Sequence, residues 1–465
     1  MPTVFVILGA TGDLMRRKLI PALFHHYQEG LLPKMFQIVG FSRDVLTKES
    51  FQAMVQEMTK AKVAAPKEKI DEFSRFFVYQ QGVFEEKEGY KSLAQFLGMR
   101  DRDWKTCSNK LFYIAAHPQH YKTILQNLKS SGLTKPCSPE EGWTRIIVEK
   151  PFGKDLKTAQ ELDRLLGKLF REEQIYRMDH YLGKETVQNI LAFRFSNSFL
   201  EPAWNKDWIE SVCIRLLEAD GIGDRGIFYD GIGAFRDVGQ NHMLQLLALF
   251  LMETPSSFDG DAVRQARAEV LKALKAPKGS AVLEKTARGQ YEGYQGEQNV
   301  AADSKTETYF RIITSLNNAR WKGVPITLES GKAMEKDLVE AQITFRHPTP
   351  CLCPDKNRHQ KNVLRYTIEP DEGVKMSFWV KKPGSKMQIE ERSFSFNYRE
   401  AFKGDEFQEA YERLLLNIIQ GDQTLFVSTE EIMASWKFVD SIVRGWDKAK
   451  VPLVSYLKGA PVIET

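Results

Sequence analysis

Residues 177–185, Arg-Met-Asp-His-Tyr-Leu-Gly-Lys-Glu, carry the densest chemistry in the sequence. An imidazole, a phenol and an ammonium group (His180, Tyr181 and Lys184) fall where an extended segment, 174–178, gives way to a helix beginning near Lys184. Backbone N–H groups and the dipole at a helix start favour an anion, so the three side chains read as a phosphate site. Neighbours in an extended segment point oppositely, which turns Asp179 away from His180 and toward a different partner. His242, just after Asp237-Val-Gly-Gln-Asn, opens the most apolar helix of the chain. A histidine there is ordinarily a core residue; paired with Asp179 it would be a base oriented by a carboxylate. Lys150, in Glu149-Lys-Pro-Phe-Gly153, follows the apolar run 146–148 and so stands at the carboxyl end of a strand, where open α/β sheets bind ligands. An ammonium group there would hold a substrate oxygen or tune a proton transfer.

A second constellation lies at the start of the chain. Gly9-Ala-Thr11-Gly12-Asp13-Leu14 follows the apolar, β-branched run 4–8 and precedes the helical pattern 14–27. Missing side chains in such a turn let backbone N–H groups approach a pyrophosphate. Met15 stands where the dinucleotide fingerprint has a third glycine, so the bland alternative is a glycine-bearing turn with no ligand. The end of the next strand selects between coenzymes, since an acidic residue there holds the ribose 2′-hydroxyl of NAD and an Arg the 2′-phosphate of NADP. Gly40-Phe-Ser42-Arg43-Asp44 offers both kinds in succession. Ser42 and Arg43 together supply hydroxyl and charge-assisted hydrogen bonds to a phosphate, so NADP is expected, with NAD as a secondary coenzyme.

The elements that position these groups fall into two patterns. Over residues 1–179, strands at 4–8, 36–40, 75–79, 111–115, 145–149 and 174–178 alternate with helices at 14–27, 119–130 and 155–170. Strands apolar on both faces belong in a parallel sheet covered by helices, which predicts an α/β Rossmann-type coenzyme domain. Over residues 180–465, helices at 186–192, 231–252, 406–419 and 429–443 are grouped apart from strands at 209–218, 309–316, 341–345, 363–368, 374–380 and 393–396. Strands without crossover helices predict a larger α+β domain with a mostly antiparallel sheet, for binding substrate and for dimerisation. Residues 276–296, rich in Gly, Lys and Gln, read as loop.

Composition narrows the partners. The chain has 465 residues, 42% hydrophobic and 27% charged, with a net charge of +4, too dilute to imply nucleic acid or an anionic membrane. No apolar run is long enough to span a bilayer, and the N-terminal one leads straight into Gly, Thr and Asp rather than a cleavage site, so a cytoplasmic protein is expected. Five cysteines form a sparse, odd set, for which reduced thiols are the default. His347 and His359 flank Cys351-Leu-Cys353, but C-x-C is not a usual zinc-ligand spacing, and Pro348 and Pro354 suggest a surface turn; no metal is expected.

Together these stretches are similar to the glucose-6-phosphate dehydrogenase family, nearly end to end. The likeness extends to Gln240-Asn-His242, Ala302-Asp-Ser-Lys-Thr-Glu-Thr308, Arg320-Trp-Lys-Gly-Val-Pro325 and Tyr411-Glu-Arg-Leu. The resemblance implies oxidation of β-D-glucose 6-phosphate at C1 to 6-phosphoglucono-1,5-lactone, the first step of the oxidative pentose phosphate pathway, by a homodimer or homotetramer. It implies that His242 is the general base, oriented by Asp179, and that His180, Tyr181 and Lys184 hold the sugar phosphate. Lys150, Glu218, Asp237 and Lys332 would contact sugar hydroxyls. Gly9, Thr11, Gly12, Asp13, Leu14, Lys18, Arg43 and Lys150 would lie along the coenzyme, and Pro151 would be a cis-proline hinge.

Four positions depart from the family pattern. Glu329 and Asp337 stand where basic residues are common, with Lys336 a possible substitute for the second, and Glu369 replaces a usual Gln; these would place negative charge close to an anionic substrate. Tyr113-Ile-Ala-Ala-His117-Pro118 lacks the first proline of a usual pair. Two other readings are another Glu-Lys-Pro-type sugar dehydrogenase with an unphosphorylated substrate, which His180, Tyr181 and Lys184 oppose, and a non-catalytic NADP-sensing protein, which the presence of both Asp179 and His242 opposes.

Overall fold

The computed structural model describes residues 1–137, 141–347, 350, 361–405 and 407–461. These form sixteen strands: β1 (Thr3–Leu8), β2 (Phe36–Ser42), β3 (Phe77–Gln81), β4 (Asn109–Ile114), β5 (Thr144–Glu149), β6 (Ile175–Met178), β7 (Ile209–Leu217), β8 (Thr286–Tyr291), β9 (Tyr309–Thr314), β10 (Ile326–Gly331), β11 (Leu338–Phe345), β12 (Val363–Glu369), β13 (Gly373–Lys381), β14 (Ile389–Asn397), β15 (Phe426–Val427) and β16 (Leu453–Tyr456). The chain divides into two compact units.

The first unit comprises residues 1–184, 257–264 and 408–432. Its seven-stranded sheet runs β15-β6-β5-β4-β1-β2-β3, parallel throughout except for β15, which pairs antiparallel with β6 through Phe426 and Met178. Every side chain of β1 and β4 is buried, as a parallel strand covered on both faces requires. The order reverses beside β1, where the chain returns from β3 to place β4 on the far side, and the crevice outside the strand ends at such a point is where doubly wound sheets bind ligands. Asp155 starts the helix Leu156–Gly167 by accepting from the Thr158 backbone N–H at 2.7 Å, which fixes the chain leaving β5. The segment 408–432 is bound in by Arg145, which donates to the carbonyls of Ile418 and Ile419 at 2.5 and 2.9 Å, and by buried Arg177, which joins Asp163, Glu172 and Thr429.

The second unit comprises residues 185–256, 265–407 and 433–465, of which those named above are described. Its nine-stranded sheet runs β14-β13-β12-β11-β7-β10-β9-β8-β16. Only the pairs β7–β10 and β8–β16 are parallel, so the sheet is mostly antiparallel. The helical stretch expected at 231–252 is two elements, a wide π-type segment Phe235–Met243 followed by the α-helix Leu244–Leu251, whose residues are all buried.

Three expectations are corrected. Residues 276–296 are not loop: they hold a short helix, Ala281–Lys285, and β8, where Thr286, Gly289 and Tyr291 are buried between β9 and β16. Hydrophilic composition concealed the strand because pairing on both edges, not apolar content, holds it. The cysteines are not all reduced, since Cys107 and Cys137 are joined as a disulfide with Cα atoms 5.9 Å apart, while Cys213 is free. Spacing along the chain carries no sign of that pairing. The last helix of the first unit begins at Ala410, whereas Glu406 lies outside the described residues. So do Pro348, Cys351, Cys353, Pro354 and His359, which removes the zinc reading from structural view. No helix among the described residues is long and apolar enough to cross a membrane.

Candidate active site

In the first unit the glycine turn is built for close approach. Gly9 has φ +101°, and a Cβ there would sit 2.4 Å from the carbonyl oxygen of Ala115, so no other residue fits without displacing backbone. The Gly9 N–H donates to the Phe41 carbonyl at 2.8 Å and Gly12 N–H to the Gly9 carbonyl at 3.1 Å. Leu14 leads into a wide π-type turn, Met15–Leu19, and Met15, where a third glycine would stand, is fully buried. The Thr11 and Ser42 hydroxyls are 2.8 Å apart, and Ser42 donates onward to Asp44. Arg43 is exposed beside them at the end of β2. Asp13 is also exposed and pairs with Arg17 at 3.3 Å. A tight glycine turn at the end of β1, next to an exposed guanidinium, fits a dinucleotide with a 2′-phosphate.

Lys150 follows β5, and the Lys150–Pro151 peptide is cis. Gly153 has φ +85°, and a Cβ there would meet the Ala159 backbone at 2.5 Å, so the turn after Lys150 is tightly specified. Asp179, fully buried, accepts the Tyr181 N–H at 3.1 Å and thereby starts a 3-10 turn, His180–Gly183. The extended segment therefore ends at Asp179, and the turn overrides strand alternation: the Asp179 carboxylate and the His180 ring nitrogen come within 4.8 Å of each other, so the two side chains do not point apart as expected. The Lys184 ammonium lies 4.3 Å from the Tyr181 ring centroid, and the His180 ring is 5.2 Å from that of Tyr181. His180, Tyr181 and Lys184 thus form one cluster, as their spacing suggested.

Two neighbours of that cluster were not singled out from sequence. Tyr411 stacks near-parallel to His180 with centroids 6.3 Å apart, and Lys18 lies 5.8 Å from the Tyr411 ring while pairing loosely with Glu409. Glu149, the last residue of β5, accepts from Tyr113 at 2.5 Å and from Tyr411 at 3.3 Å. Burial pushes its carboxyl up to about 7 against the opposing effect of those two hydroxyls. Both residues lie inside quoted motifs, Glu-Lys-Pro and Tyr-Glu-Arg-Leu, but only the fold joins them.

The second unit holds the other candidates. His242 is buried on the π-type segment, where its backbone N–H meets the Asn241 side chain at 2.7 Å and Asn241 in turn donates to the Asp237 carbonyl. Asp237 receives a two-pronged contact from Arg225 at 2.9 and 3.0 Å. Glu218 and Lys332 form an ion pair. Both pairs border Tyr229, whose ring centroid is 5.9 Å from the Arg225 guanidinium and 5.8 Å from the Lys332 ammonium. Arg225 carries no motif that sequence reading could have used.

At two of the departing positions, Glu329 and Asp337, the acidic side chain is engaged within the protein. Glu329 is held by Arg215 at 2.9 Å and by the Tyr309 hydroxyl at 2.7 Å, and Arg215 also pairs with Glu340. Asp337 accepts the Ala219 N–H just past β7. Glu329 therefore belongs to an ion-pair network within the sheet.

This set of residues on a Rossmann-type sheet and a mostly antiparallel one meets a matching family description in each half. The family model "Glucose-6-phosphate dehydrogenase, NAD binding domain" matches residues 6–189, and "Glucose-6-phosphate dehydrogenase, C-terminal domain" matches residues 191–461. The chain belongs to the glucose-6-phosphate dehydrogenase family. A glucose-6-phosphate 1-dehydrogenase of Chlamydia pneumoniae is 39% identical over 97% of this chain and 91% of its own length. A glucose-6-phosphate dehydrogenase solved in complex with glucose 6-phosphate is 35% identical, with a TM-score of 0.90 over 99% of this chain and 95% of that one. A glucose-6-phosphate 1-dehydrogenase from Mycobacterium avium is 31% identical, with a TM-score of 0.83 over 98% of this chain and 95% of that one. Membership makes this glucose-6-phosphate dehydrogenase family chain an oxidoreductase with a nicotinamide-coenzyme domain, and it leaves no place for the non-catalytic sensor.

Proposed function

We propose the following division of labour for the oxidation of β-D-glucose 6-phosphate at C1 by NADP. His242 takes the C1 hydroxyl proton, and Asp179 orients and stabilises the resulting imidazolium. NADP supplies the hydride acceptor. Gly9, Thr11, Gly12, Asp13, Leu14 and Lys18 lie along it, Arg43 engages its 2′-phosphate, and Lys150 serves both coenzyme and sugar. His180, Tyr181 and Lys184 hold the sugar phosphate, while Glu218, Asp237 and Lys332 position hydroxyls; residues 1–179 serve chiefly the coenzyme, with Lys150 and Asp179 also acting on the sugar, and 180–465 the sugar. Remote binding of the phosphate fixes C1 against base and acceptor and lowers the entropic cost of reaction.

The observation that carries this reading is the cluster of His180, Tyr181 and Lys184 at the turn after β6, directly following buried Asp179. It supplies the cationic and hydroxyl groups that a phosphorylated sugar needs and a free sugar does not. Mixing the protein with NADP and glucose 6-phosphate should raise absorbance at the NADPH band, and free glucose at the same concentration should raise it far more slowly. Equal rates would favour a dehydrogenase of unphosphorylated sugars.

A cytoplasmic homodimer or homotetramer is part of the same reading. The exposed aromatic face of β14, where Phe394 is 71% exposed and stacks on Phe378, supports self-association. Light scattering on the purified protein tests it, and a monomer at micromolar concentration would remove it.

A further inference from the structure

Glu149 is given no contact with substrate or coenzyme above, yet its carboxyl is half-buried at the strand end that delivers Lys150. Two elements meet its carboxyl and a third its main-chain carbonyl. From β4, the Tyr113 hydroxyl donates at 2.5 Å and also lies 3.2 Å from the Met178 sulfur, one residue before Asp179. From the helix Ala410–Gln420, the Tyr411 hydroxyl donates at 3.3 Å. From the helix Tyr121–Ser130, the Tyr121 hydroxyl donates to the Glu149 main-chain carbonyl at 3.1 Å. The charged groups that bear on it are Lys150 and Asp179. A carboxyl withdrawn from water is costly to retain unless it is hydrogen-bonded, and Tyr411, besides meeting Glu149 and bordering Lys18, stacks on His180.

We propose that Glu149 is a positioning residue which, through the Tyr411 hydroxyl, fixes the aromatic plane against which His180 is set to receive the sugar phosphate. The proposal deepens the reading of His180 as a phosphate contact and rests on it. Removing the Tyr411 oxygen leaves the ring free to rotate and slide, and neutralising Glu149 weakens the acceptor that holds it. Either change loosens His180, and neither residue is itself assigned a contact with substrate, coenzyme or the reacting atoms.

The test compares Glu149→Gln, Tyr411→Phe, their double variant and His180→Asn in the whole enzyme, by steady-state kinetics with glucose 6-phosphate, free glucose and NADP. Tyr411→Phe deletes one oxygen atom, so it remains informative if Glu149→Gln does not fold. Glu149→Gln and Tyr411→Phe should each raise KM for glucose 6-phosphate about three- to tenfold, the size of one hydrogen bond, with kcat and the KM for NADP within twofold. Rates on free glucose should be unchanged, and the double variant should be no worse than the poorer single one, because both act through one contact. If His180→Asn raises KM while Tyr411→Phe leaves it within twofold, the proposal is overturned and the phosphate assignment stands. A lowered melting temperature with unchanged KM would likewise overturn it, by showing a purely structural role. An unchanged KM in His180→Asn overturns both.

Discussion

The Thr11 and Ser42 hydroxyl oxygens lie 2.8 Å apart, tying the glycine turn after β1 to the end of β2. Since Ser42 donates onward to Asp44 at 3.2 Å, Thr11 is the donor to Ser42, and the Asp44 carboxylate is already engaged within the strand end. The exposed Arg43 side chain is the cation left beside that strand end for an incoming 2′-phosphate.

Arg43→Ala should therefore lower kcat/KM for NADP by about 1.5 to 3 kcal/mol while leaving NAD kinetics within a few-fold. Raised salt should weaken NADP more than NAD in the parent enzyme, because the discriminating contact is ionic and near solvent. Steady-state comparison of the two coenzymes checks both statements. An equal loss with both would assign the choice to Asp44 or to the glycine turn.

Replacing the base should act on the chemical step. His242→Asn is expected to lower kcat by about 10² to 10⁴ with little change in KM for glucose 6-phosphate, and Asp179→Asn to act in the same direction. Near-normal kcat with lost affinity would show that the proton goes elsewhere.

The phosphate cluster should behave oppositely. His180→Asn and Lys184→Ala are expected chiefly to raise KM for glucose 6-phosphate, each by about 1.5 to 3 kcal/mol, since the phosphate is bound alike before and during hydride transfer. Initial-rate measurements at saturating NADP separate KM from kcat and would expose a misassignment as a drop in kcat alone.

Glu307 gives a prediction about pH and stability. Its buried carboxyl is pushed up to about 7 by desolvation while accepting the Phe235 N–H at the start of the segment that carries His242. Between pH 4.5 and 7 the unfolded chain loses a proton that the folded chain keeps, so this group's contribution to stability is present below that window and falls as pH rises through it. Glu307→Gln, which retains an acceptor, should gain on the parent by up to about 3 kcal/mol between pH 5 and 8. Thermal unfolding at both values measures the difference, and a constant gap would refute it.

The coenzyme half was legible because its signals are local. The run at 4–8, the glycine turn and Arg43 lie within a few dozen residues, and parallel strands buried on both faces announce themselves by composition. The helices Lys48–Lys60, Lys67–Ser74 and Lys87–Trp104 went unplaced because their exposed faces dilute the apolar pattern. Tyr411 could not be joined to Glu149, nor Arg225 to Asp237, from spacing alone, since these partners meet only once the sheets form. Nor could the partner of Glu329 be read from sequence, since Arg215, which pairs with it, lies far away along the chain.

The outer edge of β6 is covered by β15, a two-residue strand that belongs to the first unit but is supplied from residues 426–427. A ribosome must therefore deliver most of the polypeptide before that edge meets its partner, and the nascent coenzyme unit waits with backbone donors and acceptors bared. Excision at residue 184 would make the wait permanent. The coenzyme half of this chain is thus not a cassette that can be borrowed, fused or inherited by itself, and its completion is coupled to synthesis of nearly the whole protein.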